Sequence, residues 1–513
     1  MKKAIVLLLT AVMLLSTTAC GAGSSTAAPS GGTEGGVKDT LVWVQGADVT
    51  SLDPHVGKET PAVQVTCNIF DTLMGMDENN QPAPNLAESW ENVDELTWKF
   101  KLREDVTFHD GSKMTSADVV FSIERAIASQ YVNYIVDFID SITADDDYNI
   151  TIKTKAPYAP ILSNLAVPFS AIVPKAAVEA DEEAFVLNPI GTGAYKFVEW
   201  KQGDYVKLEA NEDYWKGAPK TKNLQMKVVP EPAQRTIALE TGEADLSYEI
   251  APNDLSKIEE NENLVLFNGP SLSVFYLTIN NTKAPFDDVR VRQAIRYAID
   301  SQLIIDSILY SAGEKADSLI PPKAFGHSDK SVPYEYNLEK AKELMKEAGL
   351  ENGFECELSV NDNPTRVEVC QVIQSQLKEI GIECRIQVLE FGAWIDQLGT
   401  GSHEMSFAGW TCSTADADYT YNAVFHSTQV GYPGNDSFTK NEEVDKLVEG
   451  GRTTADPAER QKFYDQLEEL LGELTPYAPI YYNNVNVGAN KNVQGFVVDP
   501  NGYHRLHQVF VGS

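Results

Sequence analysis

The sequence predicts an α/β protein of several lobes, and three observations carry that expectation. The chain has 513 residues, beyond the ~250–300 at which a single hydrophobic core stops growing. FECELSV (354–360) and IECRIQVL (382–389) are strand-like, and the helical spacing of Val369, Val372, Ile373, Leu377 and Ile380 lies between them. Such a β-α-β unit crosses over right-handedly and sets its strands parallel. Strands, helices and proline-bearing connections mix elsewhere without a fixed repeat, which excludes a solenoid or propeller.

Composition narrows the function. With 43% hydrophobic and 23% charged residues the chain can bury a large core. Its 41 Lys and Arg against 75 Asp and Glu leave a net charge of −34. That field repels phosphate backbones and anionic head groups, so no nucleic-acid partner is expected.

At the N-terminus Lys2 and Lys3 precede an apolar run from Ala4 to Leu15, broken only by Thr10, and then the small residues 16–19. As a helix the run reaches only about 18 Å, short of the ~30 Å hydrocarbon core. Residues 1–19 therefore read as a signal peptide. Thr17-Thr18-Ala19-Cys20-Gly21 resembles the lipobox of bacterial lipoproteins, with Thr17 where an aliphatic residue is usual. The resemblance makes Cys20 the lipidated residue. From 20 to 36 the chain is rich in Gly, Ser, Ala and Thr and has nothing to anchor a core, the composition of a flexible tether.

Leu96, Trp98, Phe100 and Leu102 alternate with polar residues, the period of a half-buried strand. After the turn His109-Asp110-Gly111, Thr115 and Asp118 have the spacing of a capping box, and Val119, Val120, Ile123 and Ile127 share one face of the helix it opens. Gly191 and Gly193 read as a turn pair. Pro285 to Asp288 open a helix with an acidic first turn. Gly381 ends the helix of the β-α-β unit where φ > 0 is favoured.

Five cysteines follow Cys20, so at least one of them is unpaired. Cys356 and Cys384 fall in phase on the two strands of the β-α-β unit, as two buried thiols or as a disulfide. No spacing suits a structural metal. HExxH, GxSxG and phosphate-loop motifs are absent from the sequence, and the seven histidines are scattered. No catalytic residue, metal or cofactor is expected.

Residues 85–126, NLAESWENVDELTWKFKLREDVTFHDGSKMTSADVVFSIERA, resemble the signature region of the family 5 extracellular solute-binding proteins of ABC importers. That group includes dipeptide, oligopeptide, glutathione and nickel binders. Trp98, Arg103, Phe108 to Gly111 and Asp118 to Val120 carry the likeness. NPIGTGAYKFVEW (188–200), NEDYW (211–215), NNTKAPFDDVRVRQAIRYAID (280–300), NLEKAKELMKEAGL (337–350), Gly409-Trp410 and the segment 495–509 follow in the family's order.

The resemblance implies two ligand-gripping lobes around a hinge, the periplasmic-binding-protein architecture, with an extra lobe inserted. Lobe I would comprise 37–61, 188–283 and 488–513, the inserted lobe II 62–187, and lobe III 284–487. The solute would lie between lobes I and III. Trp98, Phe108, Tyr195 and Trp215 are expected in the core.

By the same resemblance the loop Gly409 to Tyr419 faces the solute. Trp410 offers a flat face, Thr411 belongs to the same wall, and Ser413 stands where many peptide binders place a carboxylate for the peptide ammonium. Asp416 and Asp418 are the nearest acids, a departure that resembles the glutathione-type subgroup. Arg366, in Asn363-Pro364-Thr365-Arg366, resembles the arginine that holds a peptide carboxylate, and a guanidinium at a helix start suits that task. The implied function is a monomeric, lipid-anchored, extracytoplasmic receptor that is not an enzyme. It would deliver a peptide or peptide-like solute to ABC importer permease subunits. A nickel or metal-chelate receptor is the alternative within binding proteins, and an exported peptide or glycan hydrolase the alternative from another class.

Overall fold

The computed structural model describes residues 37–431 and 434–512. The expected signal peptide, Cys20 and the expected tether lie outside them. Among the described residues no helix is long and apolar enough to cross a membrane.

One sheet of 11 strands organises most of the chain. Across it the strands run Ile382–Leu389, Phe354–Asn361, Met405–Thr411, Leu264–Ile279, Tyr477–Asn490, Leu246–Tyr248, Thr40–Gln45, Asn223–Val228, Tyr205–Ala210 and Tyr195–Lys201, with Gly313–Lys315 also paired to Tyr477–Asn490. The two long members, Leu264–Ile279 and Tyr477–Asn490, are antiparallel and join the two ends. Their register slips between Pro270 and Val274 and again between Phe275 and Tyr276. Proline cannot donate to the ladder, and such irregularities bend a strand. On one side of the slip lies a core around Trp43, Tyr195, Leu224 and Val487. On the other, the sheet is covered on its two faces by separate cores, one around Phe286, Ile373 and Phe407 and one around Tyr276, Tyr421 and Tyr464.

A second, antiparallel sheet of four strands places Ala87–Asp94, Thr97–Leu102, Asn149–Thr154 and Ile139–Asp146 side by side. The predicted strand is present, with Trp98, Phe100 and Leu102 buried. Leu96 is not part of it: it lies in the hairpin turn, 40% exposed. The helix Ser116–Ala128 opens on the expected box, the Thr115 N–H donating to Asp118 Oδ2 at 2.9 Å, and buries Val119 and Ile123.

The glycines of Gly191-Thr192-Gly193 have a different purpose from the turn that was expected. A Cβ on Gly191 would stand 2.0 Å from the Ile69 carbonyl oxygen, and one on Gly193 2.5 Å from the Ile69 carbonyl carbon. What these positions require is close backbone approach. His109 braces the same place: its N–H donates to the Gly191 carbonyl at 2.9 Å, and its Nε2 lies 3.0 Å from the Gly193 carbonyl. The His109-Asp110-Gly111 and Gly191-Thr192-Gly193 motifs thus pack on each other. Trp98, Phe108 and Tyr195 are core residues as expected, whereas Trp215 is half-buried, with Arg103 and Lys216 each over its ring at 4.6 Å.

The β-α-β unit forms as predicted, with Phe354–Asn361 and Ile382–Leu389 parallel and the helix Pro364–Lys378 between them in sequence. Gly381 has φ +85°. Register pairs Cys356 with Cys384, whose sulfurs stand 3.4 Å apart as two buried free thiols. The helix Val289–Ala298 starts at Asp288, which accepts the Arg290 N–H at 2.9 Å.

Candidate ligand site

The strand Met405–Thr411 delivers the loop that the sequence singles out. Cys412 N–H donates to the Leu272 carbonyl at 2.8 Å, and Ala415 turns the chain with φ +56°. The Phe325 N–H then donates to the Ala415 carbonyl, and the Ala417 N–H to the Phe325 carbonyl, each at 2.8 Å.

Within this loop the candidate residues have distinct surroundings. Trp410 is half-buried, its Nε1 donating to Thr420 Oγ1 at 3.1 Å and its ring 5.6 Å from that of Tyr419. Thr411 Oγ1 lies 2.7 Å from Ser273 Oγ. The Ser413 N–H donates to the Thr411 carbonyl at 2.9 Å. Asp416 is buried, caps the helix Ala417–Phe425 and accepts two hydrogen bonds of 2.8 Å from Arg460. Asp418, also buried, has Arg452 at 3.9 Å, and its Oδ1 accepts no hydrogen bond among the described residues. Burial pushes the Asp418 carboxyl up to about 6.

Arg366 stands elsewhere. Its guanidinium lies over Phe275 at 5.2 Å, and its Nη1 donates to Asn361 Oδ1 at 3.3 Å. Phe275 pairs with Gly409 and shares its face of the sheet, so the neighbouring Trp410 points to the other face. The fold therefore groups Trp410, Thr411, Ser413, Asp416 and Asp418 and sets Arg366 across the strand from Trp410.

Ser413 reaches a cavity that the others do not line. It consists of a space of about 340 Å³ and an adjoining one of about 90 Å³, which share Asp77, Asn80, Asp499, Tyr503 and Arg505 as walls. Gly269, Pro270 and Lys323 complete the larger part, and Val167 and Ser413 belong to the smaller. Two hydrogen bonds link its walls: Asn80 Nδ2 donates to the Lys323 carbonyl at 3.3 Å, and Asn501 Nδ2 to the Ser413 carbonyl at 3.4 Å. The lining carries both signs of charge, with Asp77, Glu78 and Asp499 against Lys323 and Arg505. Among the described residues no group of three His, Cys, Asp or Glu could hold a metal ion.

Residues 81–432 match the profile of the bacterial extracellular solute-binding proteins, family 5. The chain belongs to this family. The glutathione-binding protein GsiB of Escherichia coli O157:H7 is 31% identical over 479 residues, 90% of this chain and 92% of GsiB. The periplasmic binding protein DppA of Helicobacter pylori, solved with the peptide STSA, has 31% identity and a TM-score of 0.76, covering 92% of this chain and 98% of DppA. The oligopeptide-binding protein AppA of Bacillus subtilis, solved with a nonapeptide, has 29% identity and a TM-score of 0.76, covering 92% and 99%. This solute-binding protein thus has the two-lobed α/β fold of the periplasmic binding proteins and is a receptor of the ABC importer class, not an enzyme.

Sequence reasoning overlooked the wall of this solute-binding protein formed by Asp499, Asn501, Tyr503 and Arg505. The signal was present in Asp499-Pro500-Asn501-Gly502-Tyr503-His504-Arg505, a turn-forming run that ends in an arginine. It also missed the turn at Asp77, whose Oδ1 accepts the Asn79 and Gln81 N–H groups at 2.8 and 2.9 Å.

Proposed function

We propose that this solute-binding protein is a lipid-anchored receptor that takes up a peptide or a glutathione-type solute and presents it to the permease of an ABC importer. The observation that carries the reading is the cavity where 76–80, 269–270, 413–415 and 497–505 meet. Its walls come from segments far apart in sequence, so closing on a solute would couple binding to lobe motion. Lobe I is assigned to 37–61, 188–283 and 488–513, lobe II to 62–187 and lobe III to 284–487. Charges of both signs suit a zwitterion better than an apolar or purely anionic solute. The loop from Trp410 to Asp418 supplies one wall: Ser413 faces the solute, Trp410 and Thr411 stiffen the approach, and Asp416 and Asp418 hold the loop from behind. Lipidation at Cys20 keeps the receptor at the outer face of the membrane.

Mass spectrometry of solutes that co-purify with the protein, followed by calorimetry, tests this reading. Saturable one-to-one binding of glutathione or a short peptide without turnover is expected. A solute at a hundredfold excess over Kd would raise the stability by about 2.7 kcal/mol. Hydrolysis of the added peptide, or no binding by any peptide or glutathione, would overturn it.

A further inference from the structure

Arg505 is unlike the other inward-facing arginines of this protein. Arg460 is held by Asp416, Arg125 by Asp53, Arg235 by the carbonyls of Val229, Pro230 and Glu249, and Arg292 by the carbonyls of Phe286, Leu474 and Thr475. The half-buried guanidinium of Arg505 makes no hydrogen bond or ion pair among the described residues. A guanidinium has five donors, and leaving them unused away from bulk water costs free energy. Arg296 is held more lightly, donating to the Asp317 carbonyl at 3.4 Å and lying over Tyr334 at 3.9 Å, yet it too has a hydrogen-bond partner, so among these arginines the full omission falls on the one at the cavity wall.

Asp499 repeats the pattern with the opposite charge. Its Oδ1 accepts the N–H groups of Asn501 at 2.8 Å and Tyr503 at 3.3 Å, while Oδ2 accepts none and no cation lies within ion-pair distance among the described residues. Burial raises its pKa, and the charge of Arg505 acts against that rise. Asp499 and Arg505 therefore sense each other without pairing, and both line the same two connected spaces.

The segment between them is fixed in place. Gly502 has φ +77°, and its N–H donates to the Asp499 carbonyl at 2.9 Å. The Leu506 N–H donates to Asn68 Oδ1 at 2.8 Å, and the Leu272 N–H to the Pro500 carbonyl at 2.9 Å. Two opposite charges held apart on a braced turn are organised before the solute arrives, which lowers the cost of binding.

We infer that Arg505 and Asp499 form a socket for an α-amino-acid head, Arg505 taking its carboxylate through paired N–H···O bonds and Asp499 Oδ2 taking its ammonium. The socket rests on the receptor reading above and deepens it by naming the part of the solute that is recognised. An α-amino-acid head carries both charges on one carbon, whereas the two charged ends of an ordinary peptide stand a chain length apart. The glutamyl end of glutathione has such a head.

Calorimetry with glutathione and with N-acetylglutathione, which lacks the ammonium, tests the socket on wild type, Arg505→Gln and Asp499→Asn. Wild type should bind glutathione and reject the acetylated form. Arg505→Gln should weaken glutathione at least about thirtyfold, as truncating one partner of a desolvated charge pair does. Asp499→Asn should weaken glutathione at least about tenfold and shrink its advantage over N-acetylglutathione. Because Arg505 carries an unpaired charge in the free protein, Arg505→Gln should leave the ligand-free thermal midpoint unchanged or raised, whereas loss of a structural arginine would lower it. If wild type binds glutathione and both variants bind it equally well, the socket is overturned and the receptor reading stands. If wild type binds dialanine but not glutathione, the receptor reading again stands and the amino-acid-head assignment fails. Should wild type bind neither, the amino-acid-head assignment falls, and the receptor reading falls with it if longer peptides also fail to bind.

Discussion

Asp416 and Arg460 meet through two hydrogen bonds of 2.8 Å, with both side chains almost fully buried. Arg460 also donates to the Gly451 carbonyl and to the Tyr464 hydroxyl, each at 2.8 Å. The pair ties the start of the helix Ala417–Phe425 to the helix Pro457–Leu474 behind the candidate ligand loop. Burial opposes the Arg460 charge, and Asp416 more than offsets it, holding the guanidinium well above its ordinary range. Removing one partner strands the other charge in a dry site. Asp416→Asn should therefore destabilise the ligand-free protein by about 3–5 kcal/mol, read by denaturant unfolding. A variant as stable as wild type would refute this structural role.

The strands and helices were legible because their periods are local. Trp98, Phe100 and Leu102 alternate, and Val369, Ile373 and Leu377 recur at helical spacing, with the capping residues Thr115 and Asn363 at the starts. The partners of Asp416 were not legible. Arg460 lies 44 residues further on, and nothing local distinguishes an acid destined for burial from one bound for solvent. The cavity was hidden for the same reason: Asp77, Ser413 and Arg505 come together only when distant segments pack. Arg366 has the local context of an anion site, but the alternation of the strand Met405–Thr411 puts its platform, Phe275, on the face opposite Trp410. The glycine pair was recognised, yet its need for space beside Ile69 is a property of two segments and not of one.

The five cysteines of the described residues are all buried free thiols. Burial pushes Cys67, Cys370 and Cys412 up to about 12, and the neighbouring Cys384 thiol raises Cys356 further. Thiolate is the reactive species, so the native protein should resist an aromatic disulfide reagent at pH 8. In denaturant, a purified chain that begins after Cys20 should release five equivalents. Three equivalents would mean that Cys356 and Cys384 had joined in a disulfide.

Membrane attachment is expected to depend on one atom, the Cys20 sulfur. A single acyl chain binds only marginally, so stable attachment requires the fully modified cysteine. Cys20→Ser should move the protein from the membrane fraction to the soluble fraction of cells while leaving its solute affinity unchanged. Continued membrane association of that variant would refute the anchor.

Acid should weaken the fold through its imidazoles. Burial lowers His55, His109, His403 and His507 to about 4 and His504 to about 3, against an ordinary value of 6.5. His504 is enclosed by aromatic rings, those of Trp43, Phe496 and Tyr248 lying 5.4, 5.0 and 5.7 Å away. Between pH 6.5 and about 4 the unfolded chain binds protons at these positions and the folded chain does not. Each such group contributes stability that is present above 6.5 and is lost as the pH falls, at up to ~1.4 kcal/mol per pH unit. Asp418 and Asp436 act in the opposite sense, since burial raises both to about 6 and their stabilising contribution grows as the pH falls from 6 to 3.8. Burial raises Asp137, Glu249, Glu468 and Asp499 as well, so the imidazole contribution between pH 7 and pH 5 is read from a single variant and not from the net slope. His504→Phe keeps a ring in the cage and removes one titrating group. Relative to wild type, its stability should rise as the pH falls over that interval by up to ~1.4 kcal/mol per pH unit, and a slope equal to that of wild type would show that His504 is protonated as readily in the folded chain as in the unfolded one.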